Sequence, residues 1–329
     1  MNTPRRSTRR QFAAVTVALL LGPAALPALA QAWPAKPVRI VVPFAPGGST
    51  DVVARMLAQR LTTLWGQTVV VDNRAGAGGN VGADVVAKSP ADGYTLLMAS
   101  GSITINPNLY KNMAFDTKKD LVPITNVASG PMLVVVPDSS PAKNLKDLIA
   151  MAKARPGALN FGSAGVGSQV HLAAENLADA AGIDISHVPY KGEALAYTDL
   201  IGKQTQFVVG NFAAASALLG PGRLRALAVT GRQRQPQLPQ VPTAMEAGLP
   251  GFENYGWFGL LAPAGTPAEI ITKVQRDTAS VLAETETKAR LYVQGMTPVA
   301  NTPAEFGKQM DAELLRWATV VKNRKLAPQ

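Results

Sequence analysis

Short apolar runs that stop at a glycine turn and restart as a helical pattern constrain this chain more than any other feature. The clearest is Val38–Val42, closed by Pro43 and followed by Phe44-Ala45-Pro46-Gly47-Gly48, after which Ser49, Thr50 and Asp51 open a helix-like stretch. The same order recurs where "TVVVDNR" precedes Gly76-Ala77-Gly78-Gly79-Asn80, and where "ALNF" precedes Gly162-Ser163-Ala164-Gly165-Val166-Gly167-Ser168. Strands alternating with helices imply an α/β architecture with mostly parallel sheets. In such folds ligands gather beyond the carboxyl ends of strands, where loops enter helices. Three glycine loops at such junctions suggest one composite site that needs close backbone approach.

The pattern predicts strands near 38–42, 68–72, 95–99, 132–136, 158–162, 184–188, 206–209, 224–229 and 257–261. Helices are expected near 50–64, 80–88, 145–154, 168–181, 193–202, 267–284 and 303–322. Thr266-Pro267-Ala268-Glu269 and Thr302-Pro303-Ala304-Glu305 each read as a capping box with Pro at the first helical position. With 329 residues, 47% of them hydrophobic, two domains fit the chain better than one.

Residues 1–30 read as a secretory signal peptide. Arg5, Arg6, Arg9 and Arg10 form a basic head, Phe12–Leu21 a short apolar run, and Ala28-Leu29-Ala30 a small-x-small cleavage site, with Ala32 as an alternative. The run is too short to span a bilayer, which takes about 20 apolar residues. Thr8-Arg9-Arg10-Gln11-Phe12 resembles a twin-arginine signal, but Ala13 and Ala14 replace its usual Leu and Lys, so both export routes stay open. A periplasmic location is expected. Loss of residues 1–30 removes four arginines and no acid, lowering the net charge from +10 to +6. The remaining basic residues are dispersed without aromatic interleaving, which argues against nucleic acid. The chain has no cysteine, so thiol catalysis, disulfides and a lipidated N-terminal Cys are excluded.

No nucleotide or hydrolase motif is present. There is no GK[ST], and the sixth position of G-x-G-x-x-G is Val81 counted from Gly76 and Val170 counted from Gly165. Ser163 directly follows Gly162, which breaks G-x-S-x-G. The two histidines, His171 and His187, do not assemble a base with an orienting acid and a nucleophile. His171 and Glu175, at i and i+4, read as an ordinary helix pair before half a metal site, and His187 as a satisfied hydrogen-bonding group. No catalytic residue, metal or cofactor is expected. The loops offer hydroxyls and amides instead: Ser49, Thr50, Ser163, Ser168 and Gln169, each of which could equally cap a helix. Asp51 suits a first helical turn. Arg74 reads as surface-paired, Phe44, Tyr190, Trp257 and Phe258 as cleft wall or core, and Asn211 as an amide presented at a strand end.

"WPAKPVRIVVPFAPGGSTDVVAR", "VVVDNRAGAGGNVGADVVAKSPADGYTLLMAS", "NFGSAGVGSQVHLAAENL", "HVPYKGEALAYTDLIGKQ", "LRALAVTG", "VPTAMEAGLPGF" and "WFGLLAPAGTP" resemble, in order and over the whole mature chain, the Bug family of periplasmic solute-binding receptors of tripartite tricarboxylate transporters. The sequence departs from the family pattern at Ala45, at Ala75 and at Gly210, where an acid is common. The resemblance implies a two-lobed (type II, Venus-flytrap) periplasmic binding protein with a ligand cleft between lobes. It places lobe 1 at 33–126 plus 226–329 and lobe 2 at 127–225, with crossings at Val127–Pro137 and after Leu224. It implies capture of a small organic acid, with one carboxylate held by Phe44–Asp51 and Ser163–Gln169. The implied contacts are Phe44, Ala45, Pro46, Gly47, Gly48, Ser49, Asp51, Gly78, Ser163, Gly165, Gly167, Ser168, Gln169, Tyr190 and Asn211. The implied partners are the large and small membrane subunits of the transporter, or a sensor kinase if the same cleft serves signalling. A monomer is expected. An α/β hydrolase-type enzyme is the remaining alternative.

Overall fold

A computed structural model describes Met1, residues 33–324 and Leu326. Apart from Met1, the expected signal peptide lies outside the described residues, as do both expected cleavage positions. The element order is β1 (Val38–Val42), α1 (Ser49–Trp65), β2 (Val69–Asn73), α2 (Asn80–Ala87), β3 (Thr95–Ser100), α3 (Ser102–Ile105), β4 (Leu121–Pro137), α4 (Leu145–Ala154), β5 (Asn160–Ser163), α5 (Gln169–Ala181), β6 (Ser186–Pro189), α6 (Glu193–Ile201), β7 (Val208–Asn211), α7 (Phe212–Ser216), β8 (Leu224–Val229), β9 (Tyr255–Pro263), α8 (Ala268–Ala283), α9 (Thr285–Val293), β10 (Thr297–Pro298) and α10 (Pro303–Asn323). No helix among the described residues is long and apolar enough to cross a membrane.

The two largest of the four hydrophobic core clusters among the described residues share one strand. The first sheet runs β2-β1-β3-β9-β4-β10, and β4 continues beyond Pro131 to pair with β7 and β8 in a second sheet. Met132–Val136 are fully buried there, packed among Phe161, Leu177, Phe207 and Val209. Each such side chain taken from water contributes roughly 1.5–3 kcal/mol. Val241, Ala244, Leu249 and Phe252 pack in the same second core, so the chain returns to the first sheet at β9, later than the crossing expected after Leu224.

The sheets are mixed, not mostly parallel. β1 is parallel to β2 and β3, and β5 to β6, but every ladder made by β4 or β9 is antiparallel. Only the apolar end of β4 was legible from pattern. Its first half carries Pro123, Thr125, Asn126 and Pro131, and register shifts at Pro123/Thr125 and Asn126/Ala128 absorb the irregularity.

Helix starts differ in a way that bears on the site. Thr302 and Glu305 form the expected capping box on α10. Thr266 does not cap α8: its hydroxyl donates to the Pro263 carbonyl at 2.8 Å, and Pro267 takes the N-cap position. α1 buries Val53, Ala54, Leu57, Ala58 and Leu61 at helical spacing and ends at Gly66 in the left-handed region. Its N-cap is Gly48, which has no side chain to satisfy the first N–H groups.

Candidate functional site

The uncapped start of α1 faces a carboxylate supplied by the chain itself. Glu193, the first residue of α6, is buried beneath the β1–α1 loop. Its Oε1 accepts the Asn211 N–H at 2.6 Å and the Tyr197 hydroxyl at 3.2 Å; its Oε2 accepts Asn211 Nδ2 at 3.1 Å and the Ser49 N–H at 3.4 Å. Burial raises the Glu193 carboxyl above the ordinary carboxylate range, opposed by the hydrogen bonds from Asn211 and Ser49. Burial and the Glu193 charge push the Tyr197 phenol well above its usual value. Gly210 has no room for the acid expected there: a side chain would overlap the Tyr197 hydroxyl and crowd Glu193 Oε1.

Asp51 is engaged within its own loop. It accepts from Gly47 N–H (3.0 Å), Arg55 Nε (2.9 Å) and Asn73 Nδ2 (2.9 Å), with burial opposing these bonds; its carboxyl is held below the usual range. Ser49 Oγ accepts the Ala214 N–H at 3.1 Å and does not cap α1. Phe44, like Trp257 and Phe258, is buried in the core, and Arg74 pairs with Asp72 as expected.

The β5–α5 loop is built differently. Ser168 caps α5 by accepting the His171 N–H at 3.2 Å, leaving the Gln169 and Val170 N–H groups without a partner among the described residues. Ser163 Oγ accepts the Gly165 N–H at 3.0 Å and lies 2.6 Å from His187 Nε2; the Gly167 N–H donates to His171 Nδ1 at 3.2 Å. The two imidazoles stack with ring centroids 3.9 Å apart. Burial pushes His171 down to about 3, helped by His187, and His187 to about 4. His171 Nε2 stands 3.8 Å from Glu175 Oε1, beyond hydrogen-bond reach, while Glu175 takes Arg324 at 2.9 Å. No group of three or more metal-ligating acids or histidines occurs among the described residues.

The two cores meet across these loops. Gln169 Oε1 accepts from Gly101 N–H and Trp257 N–H, and Nε2 donates to Asn211 Oδ1, so its amide links three strand ends. Ala45 N–H donates to the Lys191 carbonyl at 3.0 Å, and Tyr110 OH to the Val166 carbonyl at 3.0 Å. A side chain at Gly78, where φ is +60°, would overlap that Val166 carbonyl oxygen. Gly165, at φ +116°, lies against the Tyr190 carbonyl. Between them opens a cavity of about 460 Å³ walled by Gly76–Gly78, Tyr110, Ala164–Val166 and Pro189–Lys191. Tyr190 is half-buried there, its hydroxyl donating to Asp199 at 2.7 Å. A larger hollow, about 660 Å³ beside Glu253, Glu313 and Arg316, touches none of the glycine loops.

The structure thus gathers the expected loops but gives most of their side chains internal partners. Ser49, Asp51, Ser163, Ser168, Gln169 and Asn211 are all so engaged, and Ala45, Pro46, Gly47 and Gly48 shape the turn that covers Glu193. Sequence reading missed Glu193, Tyr197 and Lys191. An acid one residue after "YKG" looks like a favourable first-turn charge, and nothing local reveals that it is buried.

A family model described as "Tripartite tricarboxylate transporter family receptor" matches residues 53–326. Protein BugT of Bordetella pertussis is 39% identical over 315 residues, covering 95% of this chain and 97% of BugT. Among solved structures, R. palustris Rpa4515 with adipate is 39% identical with a TM-score of 0.87, over 90% of this chain and 100% of that one. MatC from Rhodopseudomonas palustris with bound malate is 31% identical with a TM-score of 0.83, over 88% of this chain and 99% of that one.

Proposed function

Because this chain belongs to the tripartite tricarboxylate transporter receptor family, we propose that it is a periplasmic receptor that captures a small organic acid and hands it to the large and small membrane subunits of such a transporter. The family is one of binding proteins rather than enzymes, and the fold is the α/β periplasmic-binding-protein fold. The observation that carries the ligand class is that similar chains were solved with adipate and with malate, both carboxylates.

The geometry supports the same class. The α5 start offers the Gln169 and Val170 N–H groups, and a helix start contributes on the order of 0.3–1 kcal/mol to an anion by its dipole. Charge-assisted hydrogen bonds add roughly 1.5–3 kcal/mol each. Lys191 at the cavity wall supplies a positive charge that the glycine loops lack. Glycine at 78, 165 and 167 lets the loops approach each other, with the ligand between the two cores.

Thermal shift of the mature protein against organic acids, followed by calorimetry, tests the reading. A carboxylate at one hundred times its Kd should stabilise the fold by about 2.7 kcal/mol. An uncharged diamide that binds as tightly as its parent acid would overturn it.

A further inference from the structure

Resting on the carboxylate-receptor reading, we propose that the stacked imidazoles of His171 and His187 are positioning residues for the ligand, fixing the β5–α5 loop so that the Ala164 and Val166 N–H groups are left for the carboxylate. The N–H groups of this loop alternate in their use. That of Gly165 goes to Ser163 Oγ at 3.0 Å, and this oxygen lies 2.6 Å from His187 Nε2; that of Gly167 goes to His171 Nδ1 at 3.2 Å. Those of Ala164 and Val166 have no acceptor among the described residues, and both residues wall the cavity of about 460 Å³. Ala164 is buried, and a buried N–H without a partner is rare enough to call for an acceptor from outside the chain.

The loop needs a brace because Gly165 and Gly167, at φ +116° and +76°, leave its backbone free to take other shapes. The brace lies wholly within the second core. Phe161 and His187 face each other in the β5–β6 ladder with ring centroids 4.8 Å apart, and His171 stacks on His187 at 3.9 Å. It therefore stands before a ligand arrives, and donors fixed in advance lose less freedom on binding. His171 has to be neutral, since an imidazolium has two donors and no acceptor for the Gly167 N–H. Burial keeps both rings so, His171 at about 3 and His187 at about 4. Glu175 faces His171 Nε2 at 3.8 Å, but its charge is matched by Arg324 of α10 at 2.9 Å.

The test joins amide hydrogen exchange, read by NMR on the wild-type mature chain, to calorimetry with succinate, malate and adipate. Gly165 and Gly167 should exchange slowly with or without ligand, whereas Ala164 and Val166 should exchange fast until the tightest of the three acids slows them at least about tenfold. In calorimetry His171→Leu and His187→Leu should each weaken binding at least about tenfold. His171→Asn puts an oxygen where Nδ1 stood, and His187→Gln puts a polar group where Nε2 stood; both should bind within about threefold of wild type. A merely structural role would not follow the position of the polar atom. Unchanged exchange at Ala164 and Val166 with acid bound overturns the inference and leaves the receptor reading intact. So does a Leu variant that binds like wild type, or an Asn or Gln variant as weak as its Leu counterpart. Failure of all three acids to bind the wild type overturns the receptor's ligand class, and this inference with it. The exchange measurement decides the matter even if the Leu variants do not fold.

Discussion

The stacked pair His171 and His187 makes stability fall with acid in a window set by the unfolded chain. Both imidazoles are neutral in the fold, with values near 3 and 4, against about 6.5 for a free side chain. The unfolded chain therefore takes up protons first, and stability rises with pH. The full contribution is present above about pH 6.5 and is lost progressively as pH falls towards the folded values. At pH 5 a free imidazole is protonated with a free energy of about 2 kcal/mol, which His171 forfeits entirely on folding. His187 is less buried, so about 1 kcal/mol is a fairer figure there, and the pair costs about 3 kcal/mol between pH 8 and pH 5. Glu175 and Glu193 act in the opposite sense, because their raised values favour the fold as pH falls. The assay is accordingly a comparison: urea unfolding of wild type and of the double variant His171→Gln, His187→Gln at pH 5, 6, 7 and 8. The variant will lose the Gly167 N–H bond to His171 Nδ1 at every pH, so the readout is the difference in pH slope. Parallel profiles, or a wild-type excess below about 1 kcal/mol, would refute neutral burial of the pair.

Three further outcomes are expected. Gly78→Val places a side chain on the Val166 carbonyl oxygen; it should weaken ligand binding more than tenfold and abolish ligand-induced compaction in X-ray scattering, while a compaction equal to wild type would show that these loops need not touch. Ser168→Ala removes the α5 cap and should cost about 1 kcal/mol in urea unfolding, with a smaller effect on affinity because the backbone donors remain. N-terminal sequencing of periplasmic protein should begin at Gln31 or Trp33, and recovery of an uncleaved, membrane-bound chain would contradict the signal-peptide reading.

The parts of the fold that were legible are those where period, cap and glycine agree. β1 and α1 show this best: Val38–Val42 is apolar without interruption, Gly47-Gly48 forces the turn, and Val53, Leu57 and Leu61 mark one helical face. The first half of β4 was hidden because Pro123, Thr125 and Asn126 break the alternation that its pairing with β9 tolerates through bulges. α9 was missed because it buries only Thr287 and Leu291 and has almost no apolar face to read. At the site the three glycine loops were legible as a group, but the partners of their polar groups were not. Ser49 meets Ala214, 165 positions away, and Glu193 meets Ser49 across 144. Such pairings carry no local signature, which is why Ser49 reads as a cap and turns out to accept a distant backbone N–H.

The strand shared by both cores also sets an order of assembly. β4 lies between β9 and β10 in the first sheet, and both of those strands come after residue 254. The second core, in contrast, is drawn, Phe44 apart, from the stretch between Met132 and Phe252. A chain emerging from its N-terminal end can finish the second core early but has to wait for its last quarter before the first sheet can close. Contacts at such separation slow folding, because loop closure precedes any gain from pairing. The first sheet, with strands that come early in the chain, is thus the last part to become native.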